Sequence, residues 1–246
     1  MAVPYVINLD KSPDRWSAIQ ETWKGVFPIE RISAVERSPG WIGCGLSHVK
    51  AVKEAKKRND KWVLVWEDDC VPRKRNGEPM NVRVVQKLWN DVLQALETRM
   101  GEWDIMLGAT SRIIGVPIHK KWTNDVGVQI FSLPKGFTTH WILYNQSIYD
   151  KIIAWETNMA QPIDIYIYDV ARIFVPLPFL AEQRPCYSFV ESGERNYEEW
   201  FDSAEKALQI FLNPGELSIR QPSIDTRFSV TKLPKTGGTS ITRLFS

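Results

Sequence analysis

Residues 61–70 read KWVLVWEDDC: an unbroken apolar run from Trp62 to Trp66 ends on three consecutive carboxylates, Glu67, Asp68 and Asp69. Alternating polarity would mark a sheet with one wet face, whereas a continuous run suits a strand covered on both faces, as in parallel α/β sheets. Such sheets bind ligands just outside the carboxyl ends of their strands, and the three acids fall at such an end. Alternate residues of an extended segment point the same way, so Glu67 and Asp69 are expected to converge on one cation. Hard oxygen donors select Mg²⁺ or Mn²⁺, ions that complete their shells with water and substrate phosphates, so a nucleotide diphosphate is the natural companion. Acids after a strand also serve as plain solvated turn residues, and the rest of the chain has to decide.

Upstream, YVINL is apolar and DKSPDRWSAIQETW follows, with Ser12 placed to cap a helix that begins at Pro13. IERISAV is a second short strand candidate. GWIGCGLSHVKAVKEAKKR then sets Leu46, Val49 and Val52 on one helical face and ends in a basic last turn, as the helix dipole favours. Beyond the central strand, the polar loop RKRNGEP leads to an amphipathic helix over residues 82–98 and a strand in WDIMLG. Helices alternating with strands predict an α/β fold with a mostly parallel, doubly wound sheet. In the second half THWILYN reads as a strand and SIYDKIIAW as a short helix. PIDIYIYDVARIFVPLPFLAEQRPCYSF reads as a helix or strand followed by extended, proline-punctuated chain.

The 246-residue chain is 43% hydrophobic, which suffices for one large domain or two small ones. The expected division is residues 1–213, in which NYEEWFDSAEKALQIFLN forms a helical appendage, and a linker with a short stub over residues 214–246. Lys and Arg total 31 against 29 Asp and Glu, so no basic field exists to hold nucleic acid or an anionic membrane. No apolar run approaches the roughly 18 residues of a membrane span, and the first residues have no leader-like apolar core. Cys44, Cys70 and Cys186 form no CxxC pair and leave one thiol over if two were bridged, which favours a reducing, cytoplasmic setting.

VINLDKSPDRW, GWIGCGLSHVKAVKEA, WVLVWEDD, WDIMLG and PIDIYIYD, in this order across residues 3–190, resemble glycosyltransferase family 25, which includes lipopolysaccharide and procollagen galactosyltransferases. The ordered set is more specific than any one of its parts. The resemblance implies a GT-A type fold, a Rossmann-like α/β/α sandwich. It also implies transfer of a hexose, galactose or glucose, from a nucleotide-diphosphate donor such as a UDP sugar to a glycan or glycoconjugate hydroxyl, with inversion. Mn²⁺ or Mg²⁺ is then expected at Glu67, Asp68 and Asp69, which read EDD where many GT-A enzymes carry DxD; the first carboxylate either ligates metal or contacts ribose. The chemistry agrees, because a cation stabilises the departing diphosphate more in the transition state than in the ground state.

An acceptor hydroxyl must also lose a proton as it attacks, which calls for a separate base. Asp164 matches the family's acidic position and is counted with Asp69 as catalytic, with Asp169 as runner-up. Asp164 is equally placed to cap the helix after Pro162. The resemblance puts base and ribose recognition at Asn8, Asp10 and Arg15, although Arg15 also fits the outer face of the first helix. Gly43, Gly45, Ser47 and His48 lie near a helix N-terminus, where small residues and free N–H groups admit a donor. Glu67 and Gly108 complete the donor-binding set. His48 equally fits as a packed histidine, and His140 fits either a late metal ligand or an inward structural residue. AEQRPCYSF resembles the family's Gln and Ser positions, with Phe189 where an Asp commonly follows.

FSVTKLPKTGGTSITRLFS carries a second resemblance, to the PKTGGTS loop with which carbohydrate sulfotransferases bind the 5′-phosphate of their donor. Its glycines and hydroxyls suit a phosphate at a helix N-terminus, with Lys235 beside it. The six residues after Ser240 supply neither a sheet nor a second half, so a non-functional stub is expected. Two alternatives stand beside the leading reading. One is the N-terminal part of a bifunctional glycosyltransferase and sulfotransferase. The other is a non-catalytic carbohydrate-binding module, for which the 11 tryptophans offer stacking faces.

Overall fold

The computed structural model describes residues 3–122, 127–188, 190 and 193–213, so the PKTGGTS stretch lies outside the described residues. Eight strands form the central sheet: β1 (Tyr5–Asn8), β2 (Glu30–Ser33), β3 (Trp62–Glu67), β4 (Ile105–Leu107), β5 (Ile118–Lys120), β6 (Gln129–Leu133), β7 (Trp141–Asn145) and β8 (Ile173–Leu177). Their spatial order is β2-β1-β3-β7-β4-β8-β6-β5. β7 runs against both its neighbours and β6 against both of its own, while the other strands share one direction. The sheet is therefore mostly parallel, as expected for an α/β chain. The reversals of β7 and β6 are the departure and make four of the seven adjacent pairings antiparallel; in β7 every residue of WILYN is buried, and a strand covered on both faces carries no directional signal.

Among the described residues, six α-helices complete the architecture: α1 (Pro13–Thr22), α2 (Gly40–Lys57), α3 (Val82–Glu97), α4 (Tyr149–Trp155), α5 (Ile163–Val170) and α6 (Glu198–Leu212). Because side chains alternate across a strand, each strand feeds two cores. Val63 and Val65 of β3 join Val49 and Val52 of α2, Ile152 of α4 and Ile167 of α5 on one face. Leu64 and Trp66 join Ile19 of α1 and Val85, Trp89 and Val92 of α3 on the other. The result is an α/β/α sandwich. Trp66 and Trp141, cross-strand partners in the β3–β7 ladder, stack at 4.4 Å between centroids, and Trp23 closes on Trp66 at 4.9 Å.

Two local expectations are corrected. Ser12 does precede α1, but its side chain makes no capping bond; its backbone carbonyl instead accepts from Asn8 Nδ2 at 3.0 Å and from the Trp16 amide at 3.3 Å. α6 is built into the molecule rather than appended to it. Phe201 and Leu208 are fully buried in the first core. Arg73, only 2% exposed, forms ion pairs with Glu182, Asp202 and Glu205 and so ties α6 to the short pairing of Cys70–Pro72 with Ala181–Gln183. No helix among the described residues is long and apolar enough to cross a membrane.

Candidate functional site

A cleft of about 880 Å³ opens beyond the carboxyl ends of β1, β2 and β3, where the topology of the sheet predicts it. Its walls come from the start of α2, the turn at Phe137–Thr139, the start of α5 and the segment around Gln183–Ser188. A second cavity of about 740 Å³ lies at the amino ends of the same strands. There Arg58 and Asp60 pair with each other at 2.8 Å.

The acidic run enters the first cleft directly. Glu67 ends β3; its Oε1 accepts from Thr139 Oγ1 at 2.7 Å and lies 3.8 Å from His48 Nε2. Burial raises its pKa, but the pull of His48, then of Thr139 and His140, outweighs burial and leaves it lowered. Asp68 accepts from Asn8 Nδ2 at 2.6 Å and pairs with Arg15, yet burial keeps its pKa raised. Asp69 is the least satisfied of the three. Its Oδ2 accepts from Gln183 Nε2 at 3.3 Å and lies 3.7 Å from Arg15, while its buried Oδ1 has no hydrogen-bond partner. Burial, and next the charge of Glu67, lift the Asp69 carboxyl to about 7.

Asp164 faces the same cleft from the first turn of α5. Burial raises its pKa and the charge of Glu67 adds to this, against backbone hydrogen bonds from Ile165 and Thr138. Thr138 adopts φ +86°, a strained backbone for a residue with a branched side chain, at the turn that meets Asp164. Residues held in such conformations cluster at binding sites.

Glu67, Asp68, Asp69, Arg15, Gly43, Ser47 and Asp164 thus share one cleft. Asn8 stands behind it: 1% exposed, it holds Asp68 and Ser12 and accepts from Arg31 Nε at 2.9 Å. Asp10 is exposed and bonded to Ser33 and Arg31, which lower its pKa in that order. Gly43 and Ser47 act on backbone as well as on the cleft. A Cβ at Gly43 would stand 2.4 Å from the Val35 carbonyl oxygen, and Ser47 Oγ accepts from the Val35 amide at 2.8 Å. Gly108 is a packing glycine whose Cβ would meet the Trp141 ring at 2.4 Å. His48 and His140 are wholly buried behind the wall, and burial pushes His140 down to about 4. Asp169 is exposed and accepts from Gln161, outside the cleft lining.

Gln183, the Gln of AEQRPCYSF, also belongs to the cleft, as do Thr139 and Cys44, which were not singled out as site residues from sequence. Cys44 had a usable signal, its i,i+4 spacing from His48 on one helical face; Thr139 had none. For a divalent cation, the donor chemistry fits at Asp69, where an orphaned carboxylate oxygen sits beside two further carboxylates. Asp68 is already committed to Arg15 and Asn8. All three cysteines are free thiols.

No family model matches the chain, and no curated protein matches it. Among solved structures it is similar to A197 from STIV, with a TM-score of 0.42 and 13% identity over 79% of this chain and 93% of that one. It is also similar to 4-diphosphocytidyl-2C-methyl-D-erythritol synthase from Anaerococcus prevotii, with a TM-score of 0.37 and 14% identity over 85% and 79% of the two chains. A third is mannose-1-phosphate geranyltransferase from Thermus thermophilus, with a TM-score of 0.35 and 9% identity over 73% and 74%. Likenesses this distant leave the functional reading to the cleft itself.

Proposed function

We propose that this chain is a glycosyltransferase that moves a hexose from a nucleotide-diphosphate sugar, a UDP sugar foremost, to a glycan or glycoconjugate hydroxyl with inversion. The observation that carries the reading is the pairing, within one cleft at the strand ends, of Asp69 and its unsatisfied Oδ1 with a separate acid, Asp164. In this reading Asp69, with Glu67, would hold Mn²⁺ or Mg²⁺, which would supply positive charge to offset that of a departing diphosphate. Arg15, fixed by Asp68, orients the acidic run. Asp164 takes the acceptor proton, and a carboxylate whose pKa is raised by burial makes a stronger base than a solvated one.

The carbohydrate-binding alternative loses its main support. Trp23, Trp66, Trp89, Trp103 and Trp141 are fully buried core residues, and only Trp41 and Trp200 of the 11 line the cleft. The test is a thermal-shift screen of the full chain against nucleotide sugars with and without Mn²⁺, followed by donor hydrolysis for each hit. A nucleotide sugar should raise the melting temperature more with Mn²⁺ than without, and the hit should be hydrolysed slowly. No shift and no hydrolysis with any nucleotide sugar would overturn the reading.

A further inference from the structure

One cluster in the wall of the cleft shares Glu67 with the transfer reading but adds two groups, Cys44 and His48, to which that reading gives no role. Cys44, His48 and Glu67 bring a thiol, an imidazole nitrogen and a carboxylate oxygen within 4.8 Å of one another. Cys44 and His48 sit one turn apart on α2, and Glu67 meets them from the end of β3. His48 is wholly buried, and its Nε2 has no hydrogen-bond partner although it lies 3.8 Å from Glu67 Oε1. Its other nitrogen, Nδ1, lies 3.0 Å from the hydroxyl of Tyr144. With the Nδ1 proton given to that hydroxyl, the lone pair of Nε2 is left pointing at the carboxylate and thiol. A second-neighbour hydrogen bond of this kind is how metal-binding histidines are usually oriented.

We propose that Cys44, His48 and Glu67 form a binding site for a borderline cation of the Zn²⁺ class, with an open coordination position toward the cleft. The mixed S, N and O donor set is the reason for the class: Mg²⁺ and Mn²⁺ favour oxygen alone, whereas Zn²⁺ accepts all three. In a tetrahedral zinc site neighbouring nitrogen and oxygen ligands stand roughly 3.4 Å apart, given metal–ligand bonds of about 2.1 Å. The observed 3.8 Å closes to that value with a small side-chain adjustment. Three protein ligands leave a fourth place, and both Cys44 and Glu67 line the cleft, so that place faces the opening. An ion pair of His48 with Glu67 would account for those two residues but not for the thiol beside them. Ligation uses the thiolate, so binding releases the Cys44 proton to solvent.

The site shares Glu67 with the transfer reading, but its readout is the thiolate–metal bond, so its failure is distinguishable from failure of that reading. The full chain, stripped with a chelator, is titrated with Co²⁺ and then with Zn²⁺ while the visible and near-ultraviolet spectrum is recorded. Stoichiometric Co²⁺ binding with a thiolate-to-cobalt charge-transfer band, removed by Zn²⁺ and not by excess Mg²⁺, is expected. Cys44→Ser should abolish the band and Cys186→Ser should keep it. Tyr144→Phe should retain the band with affinity weakened about 10-fold or more, the loss typical of an orienting partner. Circular dichroism checks each fold, and if His48→Ala does not fold, Cys44→Ser decides alone. Absence of the band in the wild-type chain, its survival in Cys44→Ser, or its loss in Cys186→Ser overturns the proposal.

Discussion

Asp69 shows how a single carboxyl reports its surroundings. Its pKa rises from 3.8 to about 7, so between those values the folded chain binds a proton that the unfolded chain has released. The sign follows: the stability held by the protonated form is full below 3.8 and is lost as pH rises through 7. Asp69→Asn in chelator-treated protein should therefore be more stable than the wild type at about pH 8, by a few kcal/mol, with the advantage shrinking toward about pH 4. Urea denaturation at both pH values checks this, and an advantage that grows in acid would contradict it. For activity, Asp69→Ala should remove Mn²⁺-dependent donor hydrolysis while the fold survives, at a cost on the order of several kcal/mol in the transition state. Asp164→Asn should leave nucleotide-sugar affinity nearly intact and slow transfer by roughly 10²-fold or more, read as kcat against KM. The sequence made Asp69 visible because charge after an apolar run is conspicuous, and Asp164 through the acidic position it matches in the resembled family. It did not show that Asn8 would face inward to brace Asp68, since an amide gives the same pattern whether it holds a ligand or a neighbour.

At the scale of elements, the strands and helices of the first half were legible because their periodicities differ. β3 is an unbroken apolar run, whereas α2 repeats at helical spacing and ends in Lys56 and Lys57. The direction of β7 and the seating of α6 were not legible, because both depend on partners distant in sequence. α2 carries a further constraint that spacing does not reveal. A Cβ at Gly45 would stand 2.2 Å from the Trp155 ring, which is 3% exposed and fixed by its Nε1 donating to the Gln161 carbonyl at 2.9 Å. Alanine in place of glycine gains at most ~1 kcal/mol of helix propensity, whereas overpacking against a ring that cannot retreat costs about 1–3 kcal/mol. Gly45→Ala should therefore lower the melting temperature by differential scanning calorimetry, the reverse of what helix propensity alone predicts.

At the scale of the whole molecule, one buried guanidinium ties α6 to the pairing of Cys70–Pro72 with Ala181–Gln183. Arg73 holds Glu182 and Glu205, which are 1% and 6% exposed, so removing the guanidinium strands two buried carboxylates. Arg73→Ala should cost about 3–5 kcal/mol in chemical denaturation, and a loss within the range of a surface pair would show that the cluster is solvated in solution. The position of β3 has a consequence for synthesis. Its two sheet neighbours are β1, already made when β3 leaves the ribosome, and β7, which begins only at Trp141. Until then Trp62–Trp66 presents a bare, apolar strand edge, the kind of surface that pairs with other chains. A nascent chain therefore carries an adhesive seam through the interval between residues 67 and 141. Expression of residues 1–136 alone is expected to give inclusion bodies rather than a folded half, and slowing translation within that interval should lower the soluble yield of the full chain.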